Sequence, residues 1–339
     1  MLSNTSAVLY GEKDLRIEAR PVEDPRPGEV LVEIGAVGIC GSDVHYYEHG
    51  RIGEYVVERP MVIGHESAGT IVKVGAGVDP MRVGEAVALE PGVPCRKCTQ
   101  CLAGRYNLCP DVRFFATPPI DGSITHYVTI DEKFAFTAPP SLTLEQAAMA
   151  EPVSVGVWAA RKAKITPGDR VLITGAGPIG LFSAQVARAF GATQIVLTDI
   201  NDFRLGVARR LGFSTVNASE AMDGIFDVLL ECSGAAPALK NGLRALDRAG
   251  RAVLIGMGPD EVSIEVPIVQ NRELQVFGVF RYANTYPTAL ELIASGKVDV
   301  DAVITHRFTL EQTEDALTLA RRVPDSLKAV VAPGMTVQS

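Results

Sequence analysis

Gly175-Ala176-Gly177-Pro178-Ile179-Gly180 decides the reading of this chain. The hexapeptide follows an apolar run at 170–174 and opens a helical pattern over 178–190. In that context G-x-G-x-x-G is a dinucleotide loop. Gly175 permits a tight turn, Gly177 lets the backbone approach a pyrophosphate, and Gly180 lets helix pack on strand. The helix start then offers free N–H groups and its positive dipole end to the phosphates. Asp199 ends the next strand, nineteen residues beyond Gly180. A carboxylate there accepts hydrogen bonds from both ribose hydroxyls of NAD and repels the extra phosphate of NADP. Arg204 stands nearby, either as an adenosine contact or on a solvated helix face. An arginine can hold a 2′-phosphate, so it softens the exclusion of NADP.

Working outward, apolar strands (170–174, 194–198, 227–231, 251–255) alternate with amphipathic helices (178–190, 202–211, 237–246). Such alternation predicts an α/β fold with a parallel, doubly wound sheet. Residues 1–150 differ. They are rich in Gly and Pro, with short β-like runs at 29–34, 69–74 and 85–89, and predict an irregular, mostly β domain. The texture changes near Pro152. A helix at 287–295 and a segment at 310–322 follow, which the pattern alone leaves free to complete either domain.

The chain has 339 residues, 47% of them hydrophobic, and a net charge of −8. This length suggests roughly two domains. There is no basic stretch to follow a phosphate backbone, so nucleic acid is not expected as a partner. No apolar run reaches membrane-spanning length, so no membrane partner is expected either. The first ten residues lack a basic start, an apolar h-region and a cleavage site, and a reducing cytoplasm is therefore expected.

Cys95, Cys98, Cys101 and Cys109 form the pattern C-x2-C-x2-C-x7-C. Buried apolar thiols or two disulfides are the competing readings. The segment has no helical or strand period to make a core, and a reducing compartment disfavours disulfides. Four clustered thiolates suit tetrahedral Zn²⁺, and a shell filled by protein is structural. Cys40 stands apart, in Gly38-Ile39-Cys40-Gly41-Ser42-Asp43-Val44-His45. His65 and Glu66 follow Gly64, and Glu151 sits at the domain junction. Cys, His and carboxylate are competent zinc ligands, and a catalytic zinc keeps one position open.

These motifs, in this order, resemble the zinc-dependent medium-chain dehydrogenases over essentially the whole chain. The polyol branch, sorbitol and xylitol dehydrogenases, is the most similar. The resemblance is carried by residues 45–53 (HYYEHGRIG), 116–119 (ATPP), 151–156 (EPVSVG) and 279–285 (VFRYANT). Alcohol dehydrogenases of this superfamily usually have a second Cys where this chain has Glu151. The resemblance implies a GroES-like catalytic domain, 1–152, completed by 286–339, and a Rossmann domain, 153–285. It implies Cys40, His65 and Glu66 as catalytic zinc ligands, with Glu151 binding the zinc-bound water or, in some states, the metal. The substrate would meet Tyr46, Phe114, Glu151, Arg281 and Tyr282, with the Phe114-Phe115 pair leaving the register open. NAD would meet Gly175, Gly177, Pro178, Ile179, Gly180, Asp199, Arg204, Gly256, Met257, Gly258, Phe280 and Arg281. Two zinc ions per subunit and a homotetramer or dimer are expected.

The implied reaction is reversible NAD-linked oxidation of a secondary hydroxyl of a polyol to a ketose. Ser42 and His45 match the spacing of a proton relay, with water on Glu151 or Glu66 as the competing acceptor. Thiolate and carboxylate would nearly neutralise the ion, so an alkaline optimum for oxidation is expected. Other readings are another zinc alcohol dehydrogenase of this superfamily, a zinc-free quinone or enoyl reductase, and a non-catalytic NAD-binding protein. The zinc set disfavours the reductase.

Overall fold

Val30, Val32, Ile34 and Val37 are buried along strand Glu29–Gly38, the centre of a seven-stranded sheet. The computed structural model describes residues 3–220 and 224–335. The central strand pairs antiparallel with Glu66–Val74 on one side. On the other it pairs with Tyr127–Asp131 along its first half and with Lys328–Ala332 at its end. Ala86–Leu89 and Ala135–Thr137 extend one edge, and Ile304–Thr309 the other. The strands bury Ile71, Val87, Leu89, Ile130 and Val331 in one core with Leu310 and Leu317. This unit comprises Met1–Glu151 and Ile304–Ser339.

The second unit, Pro152–Val303, is built on six parallel strands. In spatial order they are Ser214–Asn217, Gln194–Asp199, Arg170–Thr174, Phe226–Glu231, Leu246–Leu254 and Gln275–Gly278. Numbered along the chain, that order is 3-2-1-4-5-6, the doubly wound arrangement predicted from the alternation. Strands 3 and 6 are additional to the four read from sequence. Their residues are half-buried or exposed, as edge strands are, so they carry no continuous apolar run.

The first unit resumes at Ile304, whereas the sequence reading placed that boundary at 286. Helix Tyr286–Ala294 therefore belongs to the second unit. The helix buries Tyr286, Ala289, Leu290, Leu292 and Ile293, and two polar ties flank it. Gln185, fully buried on helix Pro178–Ala189, donates to the Asp299 carbonyl at 3.2 Å and accepts the Asp299 N–H at 2.7 Å. Arg161 donates to the Asn284 carbonyl at 2.7 Å and to Thr288 Oγ1 at 3.1 Å. A helical period reports that residues 287–295 form a helix, but not which core receives it.

Gln185→Leu leaves both Asp299 backbone groups without these partners. Asp299 is exposed, so water can meet its backbone groups and the loss is that of two net hydrogen bonds, about 0.5–1.5 kcal/mol each. The variant should lose roughly 1–3 kcal/mol of stability and unfold at a lower urea midpoint. An unchanged midpoint would show that the tie contributes nothing.

Candidate metal and dinucleotide sites

Strand pairing builds the first centre. In the pairing of Glu29–Gly38 with Glu66–Val74, Gly38 lies opposite Glu66. Cys40, two residues beyond Gly38, therefore arrives beside His65 and Glu66. One ligand atom from each of Cys40, His65 and Glu66 lies within 4.8 Å of the others. Gly64 turns the chain into His65 with φ +89, where a Cβ would overlap Ile124, so a side chain there would push His65 out of place. Among the described residues this is one of two such groups; the other is the cysteine quartet.

Asp43, which the sequence reading gave no role, organises the centre. It is fully buried. Cys40 begins helix Gly41–His49, and its N–H donates to Asp43 Oδ2 at 3.0 Å, half of a capping box. The Gly64 N–H donates to Oδ1 at 3.0 Å, and His65 Nδ1 lies 3.5 Å from the same oxygen. One carboxylate thus fixes the backbone before both ligand segments and turns the His65 ring. With Nδ1 facing Asp43, Nε2 is left for a metal, a common second-shell arrangement. Burial pushes the Asp43 carboxyl up, but the His65 charge and these donors outweigh it and hold it low. Burial pulls His65 down, and Asp43 and Cys40 more than reverse that, raising it well above its usual value.

Lys328 also went unassigned from sequence. Its Nζ lies 2.8 Å from both Glu66 oxygens and 2.9 Å from the Ile39 carbonyl, with the side chain 4% exposed. Burial pulls its ammonium down, and Glu66 and Cys40 more than offset the pull. Its only sequence signal is one charge opening an apolar strand.

The remaining first-unit candidates spread around this centre. Glu151 is buried in the first turn of helix Ala150–Ala163. It stands outside the three-ligand group, yet its charge reaches Lys328 and Glu90. Phe114 is buried with its ring 5.7 Å from that of His65, while Phe115 packs into the core. That places Phe114 at the site. Tyr46 is buried, Ser42 half-buried and His45 exposed, all on helix Gly41–His49.

The cysteine quartet is a separate knuckle. The Sγ atoms of Cys98 and Cys101 are 3.4 Å apart, and those of Cys95 and Cys101 are 4.0 Å apart. The N–H groups of Cys95 and Cys101 point at Cys109 Sγ and Cys98 Sγ, each at 3.4 Å. N–H groups of Lys97 and Cys98 pull the Cys95 thiol down to about 7, while burial and the neighbouring sulfurs push Cys101 up to about 12. Thiols this close resist ionising together without a cation among them. The four donors fit a closed tetrahedral zinc. Arg96 pairs with Asp131 at 2.6 Å, and the Tyr106 hydroxyl donates to buried Glu90 at 2.7 Å, tying the knuckle to the sheet.

The second unit supplies the dinucleotide loop. Gly175 has φ +91 and a Cβ there would press on Ser233, while a Cβ on Gly180 would overlap the Gly175 carbonyl. Gly177 begins helix Pro178–Ala189, with open space where a side chain would stand. Pro178 and Ile179 form the first turn. Asp199 Oδ2 accepts the Ala176 N–H at 2.7 Å, and Oδ1 accepts the Asn201 N–H at 2.9 Å. Each oxygen keeps a lone pair for a ribose hydroxyl. Asn201 Oδ1 caps the next helix by accepting the Arg204 N–H, and Arg204 Nε is a buried donor with no hydrogen-bond partner. A cavity of about 550 Å³ opens beside this strand, lined by Thr198, Ile200, Val216, Ala238 and Asn241.

Glu231 is a further residue missed from sequence. It accepts the N–H groups of Ser233 and Gly234 at 2.9 and 3.0 Å. It thereby shapes the loop that meets Gly175 on one side and Gly256 to Gly258 on the other. There, side chains on Gly256 or Gly258 would overlap Gly234. Met257 is exposed between them. Arg281 lies 4.8 Å over the half-exposed Phe280 ring, with φ +52, and Tyr282 is buried against Tyr286. No helix among the described residues is long and apolar enough to cross a membrane.

Comparison with known proteins agrees with this geometry. Residues 26–140 match the alcohol dehydrogenase GroES-like domain family, and residues 178–295 the zinc-binding dehydrogenase family. Sorbitol dehydrogenase of Bacillus subtilis (strain 168) is 43% identical, covering 97% of each chain. Sorbitol dehydrogenase of Bos taurus is 41% identical over 94% of this chain and 93% of its own. Among solved structures, L-idonate 5-dehydrogenase from Escherichia coli K-12 superposes with a TM-score of 0.92 at 29% identity, covering 98% of each chain.

Two outcomes follow for the metals. Cys98→Ser should lower the zinc content from two ions per subunit to one, measured by atomic absorption after dialysis; two retained ions would remove the quartet as a site. At the other centre a metal must displace the His65 proton. Zinc affinity should therefore fall as the pH drops and His65 protonates, by up to about tenfold per pH unit for that one proton, measured by competition with a chelator. An affinity for this centre that does not change with pH would argue against His65 as a ligand.

Proposed function

Since the chain belongs to the zinc-dependent medium-chain dehydrogenases, in their polyol branch, we propose that it moves hydride between a secondary hydroxyl of a polyol and NAD, interconverting polyol and ketose. The observation that carries this reading is the meeting of Cys40, His65 and Glu66: three donors of the zinc-binding types, with one tetrahedral position left over. The bound groups supply Lewis-acid polarisation of the hydroxyl and a hydride acceptor.

The chain's own residues do the rest. Asp43 keeps the His65 ring turned so that one nitrogen faces the ligand group. Phe114, buried against that ring, excludes water from one side of the reacting carbon. Ser42 and His45 lie three residues apart on one helix face, half-buried and exposed, and give a departing proton a hydroxyl and then an imidazole on the way to solvent. Glu151 is the competing acceptor on the buried side. In the second unit the glycine loop presents N–H groups to the pyrophosphate, and the Asp199 carboxylate holds the adenosine ribose.

Sorbitol and xylitol with NAD should generate NADH absorbance, and removal of zinc by a chelator should abolish it. No NADH from any polyol, with NAD still bound, would favour a non-catalytic binding protein. Asp199→Ala should raise the KM for NAD about 10–100-fold, as expected for a lost charge-assisted hydrogen bond, and narrow the preference over NADP. An unaltered preference would move cofactor selection elsewhere.

A further inference from the structure

Glu66 is gripped by a buried ammonium. Lys328 Nζ sits 2.8 Å from each carboxylate oxygen, and the Ile39 carbonyl takes a third ammonium donor at 2.9 Å. Gly38 leaves the carboxylate its slot, since a Cβ there would overlap Glu66 Oε2 and approach Met149 Cε to 2.9 Å. Both partners are essentially buried, at 4% and 1% exposure. The same carboxylate also belongs to the group with Cys40 and His65. A single buried carboxylate is therefore shared between a fixed ammonium and the position of a dication.

We propose that Lys328 is a positioning residue that competes with the metal for Glu66, making Glu66 an exchangeable ligand rather than a permanent one. The inference rests on the reading of Cys40, His65 and Glu66 as a metal centre. The ammonium takes part of the carboxylate's charge and repels the dication. Both effects weaken the hold on the metal. Without the ammonium, the buried carboxylate has the metal as its remaining cation, so the hold tightens. A purely structural ion pair predicts the opposite pattern: loss of stability, with metal affinity unchanged or reduced as the ligand is displaced.

The test uses the full chain loaded with zinc and dialysed against graded dipicolinate, with zinc per subunit read by atomic absorption. The wild type should fall from two ions to one as the Cys40 centre empties, and lose the quartet's ion later. Lys328→Met should move the first step to about 10–100-fold higher chelator and leave the second in place, a range typical of changes to a ligand's outer partner. Lys328→Arg keeps the cation in a bidentate fork, so its first step should stay at or below the wild-type chelator concentration. In a Glu66→Gln background, Lys328→Met should shift the step less than about threefold. Three results each overturn the proposal: a first step for Lys328→Met at or below wild type, a first step for Lys328→Arg well above it, or a full shift that survives Glu66→Gln. If Lys328→Met does not fold, Lys328→Gln, which removes the charge but can still donate to Glu66, takes its place: its first step should move to higher chelator, and a step at or below the wild type overturns the proposal. A wild type that holds a single ion throughout fails differently, because it removes the metal centre itself.

Discussion

The register between strands Glu29–Gly38 and Glu66–Val74 is the constraint on which the first unit's chemistry depends. Gly38 opposite Glu66 sets the ends of two strands side by side, and Cys40, His65 and Glu66 are all within two residues of those ends. A slip of one residue would reverse every side chain on the strand and send Glu66 to the other face. The register is protected by burial on the central strand, where Val30, Val32, Ile34 and Val37 have no tolerable alternative placement. Asp43 then locks the two loops that leave these strand ends.

The legible parts of the molecule are those where local chemistry permits few residue types. The glycine loop is such a case, because close backbone approach excludes a side chain at Gly175 and Gly180. The quartet is another, since four clustered thiols have few other uses. The alternation after residue 169 was enough for the parallel sheet. Cys40, His65 and Glu66 were weaker, for their spacing says little until strand pairing is known, and resemblance carried them.

Asp43, Lys328 and Glu231 were not legible at all. Each is a charged residue of ordinary type whose importance comes from being buried, and burial is decided by segments far away in sequence. Lys328 meets a partner 262 residues distant. The same physics applies to helix Tyr286–Ala294, whose apolar face is legible but whose receiving core, and whose tie from Arg161 to Thr288, are set by segments far away in sequence. Lys328 also adds a positive charge to the centre, which buried Asp43 and Glu151 answer with two negative ones.

The discontinuity of the first unit has a consequence for assembly. The cysteine knuckle, Glu90 and Tyr106 all precede the second unit in the chain, so every residue that ties the knuckle to the sheet is made before that unit. The strand carrying Lys328 comes only after the whole second unit has been produced. Until that strand docks beside Gly38, Glu66 lacks its Lys328 partner, so the buried ion pair at the centre can form only once the whole chain has been made.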